Sequence, residues 1–194
     1  MTSSEQKPRR GQPDCAACQA LCCISHKIPN DDGDVFKEAG VICQHLDCES
    51  GNCSIYNKRK EEGLGVCEGY NCLGIGELIT KWIENNLPDF DRRKQPTTTD
   101  VRELEKWGFK AELVDRLFNV GMNVQRKIVS ILEENAGAVS NPRGNAQIAE
   151  LQNLYILYLT AASKISDPDK TSKEDGDEFF ELDDKILRLL TLKK

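Results

Sequence analysis

Four cysteines, Cys15, Cys18, Cys22 and Cys23, fall within the nine residues CAACQALCC, and five more follow as Cys43-x4-Cys48-x4-Cys53 and Cys67-x4-Cys72. Thiolates two to four residues apart can converge on one ion, so this spacing points to zinc in a thiolate tetrahedron or to an iron–sulfur cluster. Isolated structural cysteines do not bunch in this way. In an extended segment, consecutive Cβ atoms point to opposite sides, so Cys22 and Cys23 are expected to serve two sites or two metals of one polynuclear centre. Such an arrangement uses about eight thiolates at four per mononuclear site. Cys48 is the one to leave out, because it sits in the acidic turn DCESGNC beside Cys53 and reads as a spare, exposed thiol.

Charge and compartment narrow the chemistry. The net charge is −6, and between residues 11 and 76 ten acidic residues outnumber five basic ones. Phosphate binding needs a basic face, so no nucleic-acid partner is expected. Behind the basic residues of MTSSEQKPRRGQ stands no apolar segment, so no secretory signal is read and a cytoplasmic location is expected. The longest nearly unbroken apolar run, Leu154 to Ala162, has nine residues. A bilayer needs about 20, so no membrane span is expected. In a cytoplasmic chain dense cysteines serve metals or redox work rather than disulfides.

The elements that must position these thiols divide the chain in two. Residues 1–13 are polar, hold two prolines and read as a disordered tail. Residues 14–76 are rich in Gly, Asp, Asn and Cys with only short apolar patches such as Val41-Ile42 and Ile55-Tyr56, too little for a conventional core, so bound metal is expected to order them. From 77 to 194 the periodicity is helical. Glu77 to Asn86 puts Leu78, Ile79, Trp82 and Ile83 on one face. Asp100 and Glu103 open a short helix ending near Trp107-Gly108, and a long helix from about Ala111 to Asn135 follows. A loop, AVSNPRGN, leads to a helix from about Ala146 to Ile165; an acidic loop over 166–177 separates this from a last amphipathic helix through Phe179, Leu182, Ile186, Leu189 and Leu190. The fold class is therefore mainly α: a loop-rich, metal-stabilised cysteine module followed by a small helical bundle, with no strand alternation long enough for a large sheet.

Read in order, CAACQALCC, AGVICQHLDCESGNCSIYNKR and VCEGYNCLGIG resemble successive blocks of the YkgJ-like cysteine-cluster family, described as zinc- or iron-chelating. The resemblance covers about residues 13 to 78. It implies a ligand role for Cys15, Cys18, Cys22, Cys23, Cys43, Cys53, Cys67 and Cys72, and none for Cys48. Many members carry Arg-Pro after the Ile-Tyr block, whereas Ile55-Tyr56 is followed here by Asn57-Lys58-Arg59-Lys60, so no role of that pair is carried over. The family includes flagellin lysine N-methylases, but no motif here transfers their substrate.

The remaining candidates are weaker. His45 and His26 could replace a thiolate, yet with eight cysteines a surface or supporting role is favoured. Gly74 and Gly76 in CLGIGE read as a tight turn before a helix, and Trp82 and Trp107 read as core. Three functions compete. The first is a non-catalytic zinc or iron module whose helical part supplies a partner-binding or scaffold surface. The second is an iron–sulfur enzyme of methyltransferase-like or redox type. The third is a thiol switch that forms disulfides under oxidation.

Overall fold

The computed structural model describes residues 19–67, 73–135 and 142–191. The expected tail at 1–13 lies outside them. Among the described residues five α-helices and one two-stranded sheet carry most of the regular structure, so the chain is mainly helical as its periodicity requires. Contacts divide it into two compact units: one up to Lys81 together with Asp91–Gln95, the other Trp82–Phe90 and from Pro96 onward. Among the described residues no helix is long and apolar enough to cross a membrane.

The cysteine-bearing unit contains the one-turn helix α1 (Leu21–Ser25), then β1 (Ile28–Pro29) and β2 (Val35–Lys37), paired antiparallel with Ile28 opposite Lys37. The Asn30 side chain accepts from the Asp34 amide, and Gly33, at φ +90°, supplies the left-handed residue that the reversal needs. The first half of α2 (Ile75–Asn86) completes the unit, entered through Gly74 at φ +82°, as the tight-turn reading expects. Leu21, Ile28, Leu64, Ile75 and Ile79 are buried in this unit. Ala20, Ile24, Cys43 and Leu46 are buried together, and Cys23, Phe36, Ile42 and Cys48 pack against them.

In the second unit the helices run longer than their sequence signals. Residues 101–134 form one continuous helix, α3 (Val101–Glu134), instead of two with a break at Gly108. A glycine inside a helix costs about 1 kcal/mol relative to alanine, which is too little to stop a helix already propagating from both sides. The Asp100 carboxylate caps its start by accepting from the Arg102 amide. Helix α4 (Pro142–Lys164) begins inside the expected loop because Pro142 takes a first-turn position, where its missing N–H is not needed. A Cβ on Gly144 would stand 2.5 Å from Asn135 Nδ2, so any larger residue there would push that side chain aside.

Helix α5 (Lys173–Thr191) takes in the last residues of the expected acidic loop. Ser172 Oγ accepts from the Asp175 amide, and Asp175 Oδ2 accepts from the Ser172 amide, a reciprocal cap that the sequence reading overlooked. The core lies between α3, α4 and α5, on Leu117, Phe118, Leu151, Tyr158, Phe179 and Ile186. Trp82 is buried, its indole donating to the Leu159 carbonyl at 3.0 Å, whereas Trp107 is only half-buried and leans on Phe90.

Candidate metal centre

The thiol cluster is built on the end of α1. A five-residue helix leaves its C-terminal carbonyls without helical partners, and each must be satisfied from elsewhere. The Cys43 amide donates to the Cys23 carbonyl at 2.9 Å, and the Lys37 ammonium donates to the Ile24 carbonyl at 2.8 Å. These two bonds bring the second cysteine segment and strand β2 onto the first. Upstream, the Gln19 amide donates to Thr80 Oγ1, and Ala20, at φ +53°, turns the chain into the helix. A left-handed alanine is strained by about 1–2 kcal/mol, so the surrounding packing holds it there.

Cys43 and Cys53 stand at the two ends of a small loop closed on itself. Leu46 and Cys53 form an antiparallel bridge, the Asp47 amide donates to the Asn52 carbonyl, and the Ser54 amide donates to the His45 carbonyl. The Asp47 carboxylate accepts from the Glu49 amide and the Ser50 hydroxyl, holding the turn shut. Cys67 is held by its own amide, which donates to the Leu64 carbonyl, and by its carbonyl, which accepts from Arg59 Nη1 at 3.1 Å.

The adjacent pair does not sit in an extended segment. Cys22 and Cys23 lie within α1, and their sulfurs are 3.9 Å apart. With zinc–sulfur bonds of about 2.3 Å, the edge of a thiolate tetrahedron is about 3.8 Å. Helical geometry therefore lets both sulfurs meet one ion, and the adjacency alone does not demand two centres. Cys48 also departs from expectation: it is half-buried against the apolar nucleus rather than exposed.

Electrostatics tie the thiols to one another. The Cys22 thiol, by hydrogen bonding, brings Cys23 down to about 7; burial opposes this, and the charges of Lys37 and Arg59 assist. Burial pushes Cys43 up, as does negative charge on Cys23 and Cys53, against a hydrogen bond from the His45 amide and the field of Lys37. Cys67 is pushed up to about 11 by burial and by Cys23, Cys43 and Cys53, with Arg59 working the other way. Negative charge on neighbouring cysteines thus makes Cys43 and Cys67 harder to ionise. A cation bound among them would reverse that balance.

The donor chemistry fits zinc or iron, and none of the described cysteines is in a disulfide. Among the described residues no three His, Cys, Asp or Glu side chains stand close enough together to hold an ion. Cys15, Cys18 and Cys72 lie outside the described residues. His45 is stacked on Phe36, with ring centroids 5.7 Å apart, and its amide supports the Cys43 sulfur. His26 terminates α1 and is half-buried.

Two residues that the sequence reading passed over belong to this region. Lys37 is 5% exposed and donates to the Ile24 and Glu38 carbonyls. Its place opposite Ile28 in the hairpin was the available signal, since it puts an ammonium on the inner face. Arg59 lies over the Tyr56 ring at 3.9 Å, and its Nε is buried with no partner among the described residues. Nothing in its local sequence marks it except its closeness to Cys53. No family model matches this chain, and no curated protein or solved structure proved similar to it.

Proposed function

We propose that the cysteine-bearing unit is a metal-binding module in which zinc, or iron as an iron–sulfur centre, is held by thiolates, and that the module is not itself catalytic. The observation that carries this reading is the hydrogen bond from the Cys43 amide to the Cys23 carbonyl at 2.9 Å, which brings the second cysteine segment onto the first. The 3.9 Å spacing of Cys22 and Cys23 supports the same reading, as does the resemblance to the YkgJ-like family. The ligand set is then Cys15, Cys18, Cys22, Cys23, Cys43, Cys53, Cys67 and Cys72. A filled four-thiolate site keeps no position open for substrate, and the helical unit serves as a scaffold or protein-binding surface in the cytoplasm.

Elemental analysis and a visible spectrum on protein purified without oxygen test this directly. Stoichiometric zinc without a visible band identifies closed structural sites. Iron with acid-labile sulfide and a broad brown absorption identifies a cluster. Absence of both metals from the purified protein, and from protein reconstituted under reducing conditions, sinks the proposal.

A second reading, a thiol switch, is favoured by one observation: the paired Cys22 and Cys23 thiols, with Cys23 brought down to about 7. A thiolate at neutral pH is the form that peroxide attacks. Reversible loss of metal on peroxide treatment, restored by a dithiol, would support this reading.

A further inference from the structure

Helix α4 carries no Asp, Glu, Lys or Arg from Leu151 to Ser163, a run of thirteen residues. One face of that run is accounted for, since Leu151, Leu154, Tyr155, Tyr158, Ala161 and Ala162 are buried. The opposite face is not: Ile156 is 60% exposed and Leu157 52% exposed, with Asn153 and Thr160 exposed on the same side. The Thr160 hydroxyl donates to the Ile156 carbonyl of its own helix, so its donor needs no outside partner. A helix face turned to water ordinarily carries charge, and an uncharged apolar one marks an interaction site.

Charge says what covers it. The chain has a net charge of −6, so two copies repel each other wherever their acidic faces meet. The exposed Phe180 of α5, for example, shares its face with Asp177 and Asp184, three residues before and four after it. On α4 that obstacle is absent, and the flanks of the uncharged face are of opposite sign. Glu150 stands seven residues before Leu157, and Lys164 seven residues after it. Seven residues are close to two turns, so all three lie on one stripe of the helix. Lys164 pairs with Glu178 at the surface, but an ammonium has three donors and can take a second carboxylate.

We propose that this face of α4 binds a second copy of the chain, the two α4 helices packing antiparallel about a twofold axis at Leu157, with Glu150 of each protomer against Lys164 of its partner. A parallel pairing would set Glu150 on Glu150 and Lys164 on Lys164, whereas the antiparallel one also opposes the two helix dipoles favourably. The proposal rests on the reading of the helical unit as a protein-binding surface, and gives that surface its partner. A single pair of helices is at the low end of specific interface sizes, so a dissociation constant of about 1–100 μM is expected.

Sedimentation velocity of the full chain over about 1 to 300 μM brackets that affinity, with metal content measured on the same samples and circular dichroism as the control for folding. Wild type should pass from monomer to dimer across the range, and Leu157→Glu, at an exposed position, should stay monomeric throughout. Glu150→Lys and Lys164→Glu should each weaken the dimer about three- to tenfold, since either change spoils both symmetry-related pairs. The double variant should return to wild-type affinity, because the pairs re-form with their signs exchanged; a loss of folding would not be mended in that way. Should Leu157→Glu fail to fold, the charge-exchanged variants decide the matter. A wild type monomeric over the whole range, a Leu157→Glu dimer as tight as wild type, or a double variant no tighter than the single ones overturns the inference. A metal-bound monomer sinks this inference alone, and a dimer that takes up neither zinc nor iron sinks the metal reading alone.

Discussion

Both units bury charge, and they settle it differently. In the helical unit the Asp183 carboxylate, 1% exposed, accepts from Arg116 on one oxygen and from the Tyr158 hydroxyl at 2.8 Å on the other. Charge and counter-charge come from α3, α4 and α5 themselves. Around them lies an apolar core, with Tyr158 stacked on Phe179 at 4.6 Å. In the cysteine-bearing unit Lys37 and Arg92 are buried cations that donate to carbonyls, Lys37 to those of Ile24 and Glu38 and Arg92 to that of Gly40, and four of the eight residues in and against one apolar cluster are Ala20 and the cysteines 23, 43 and 48. One unit carries its own balance of charge and burial. The other, on the proposal above, is completed by what it binds. A segment too poor in apolar side chains to offset its conformational entropy must draw on another source of free energy, and metal binding is such a source.

This contrast is sharpest on metal removal, where the largest effect is expected. Stripping the protein with a strong chelator under reducing conditions should unfold residues 19–67 and leave α3, α4 and α5 intact. Hydrogen exchange reads this as lost amide protection confined to the first segment; full protection there after chelation would break the comparison. In the opposite direction, Phe179→Ala should cost the helical unit about 3–5 kcal/mol, because a buried aromatic is replaced by a cavity. Its metal content should not change. Asp183→Asn comes next. Removing the carboxylate should cost about 2 kcal/mol, seen as a lower denaturation midpoint, since the hydrogen bond to the Arg116 guanidinium loses one of its charges.

Alkaline pH gives a smaller and more graded effect on the same core. Burial pushes the Tyr155 and Tyr158 hydroxyls above the ordinary value of 10.0, and the Asp183 carboxylate pushes Tyr158 further. A group whose folded pKa is raised contributes stability that is complete below its unfolded pKa and is lost as pH climbs past it. Helix content should therefore hold to about pH 10 and fall above it, with phenolate absorbance from these two residues appearing together with the loss of helix. Phenolate absorbance from both at pH 10 in folded protein would show that burial does not protect them. The smallest effect belongs to Cys48→Ser, expected to shift stability by about 0.5 kcal/mol and to leave metal stoichiometry untouched. A lost metal equivalent in that variant would make Cys48 a ligand.

Much of the helical unit could be read from periodicity, because the residues that mark each helix also bury it. Leu117, Ile128, Leu151, Tyr158 and Ile186 recur at helical spacing and are all buried. The ends were less legible. The continuity of α3 through Gly108, the start of α4 at Pro142 and the start of α5 at Lys173 depend on caps and neighbouring turns that weigh little in any one window. In the cysteine-bearing unit the thiols could be seen and their arrangement could not. Treating Cys22-Cys23 as extended was the natural reading of so short an apolar stretch, and it failed because tertiary bonds at both ends of α1 stabilise a single turn that propensity alone would not hold.

By itself, the sequence determined the division into a thiol-rich segment and a helical one, the mainly helical fold class and the residue types able to hold a metal. These follow from composition and spacing, which are properties of the chain alone. Only the tertiary structure decided that Cys22 and Cys23 stand 3.9 Å apart on a helix, that Cys48 is half-buried, that Lys37 reaches the Ile24 carbonyl and that Arg59 reaches the Cys67 carbonyl. Each of those depends on bonds between residues distant in sequence, such as the Cys43 amide on the Cys23 carbonyl. No local pattern encodes a partner that the chain brings near only by folding.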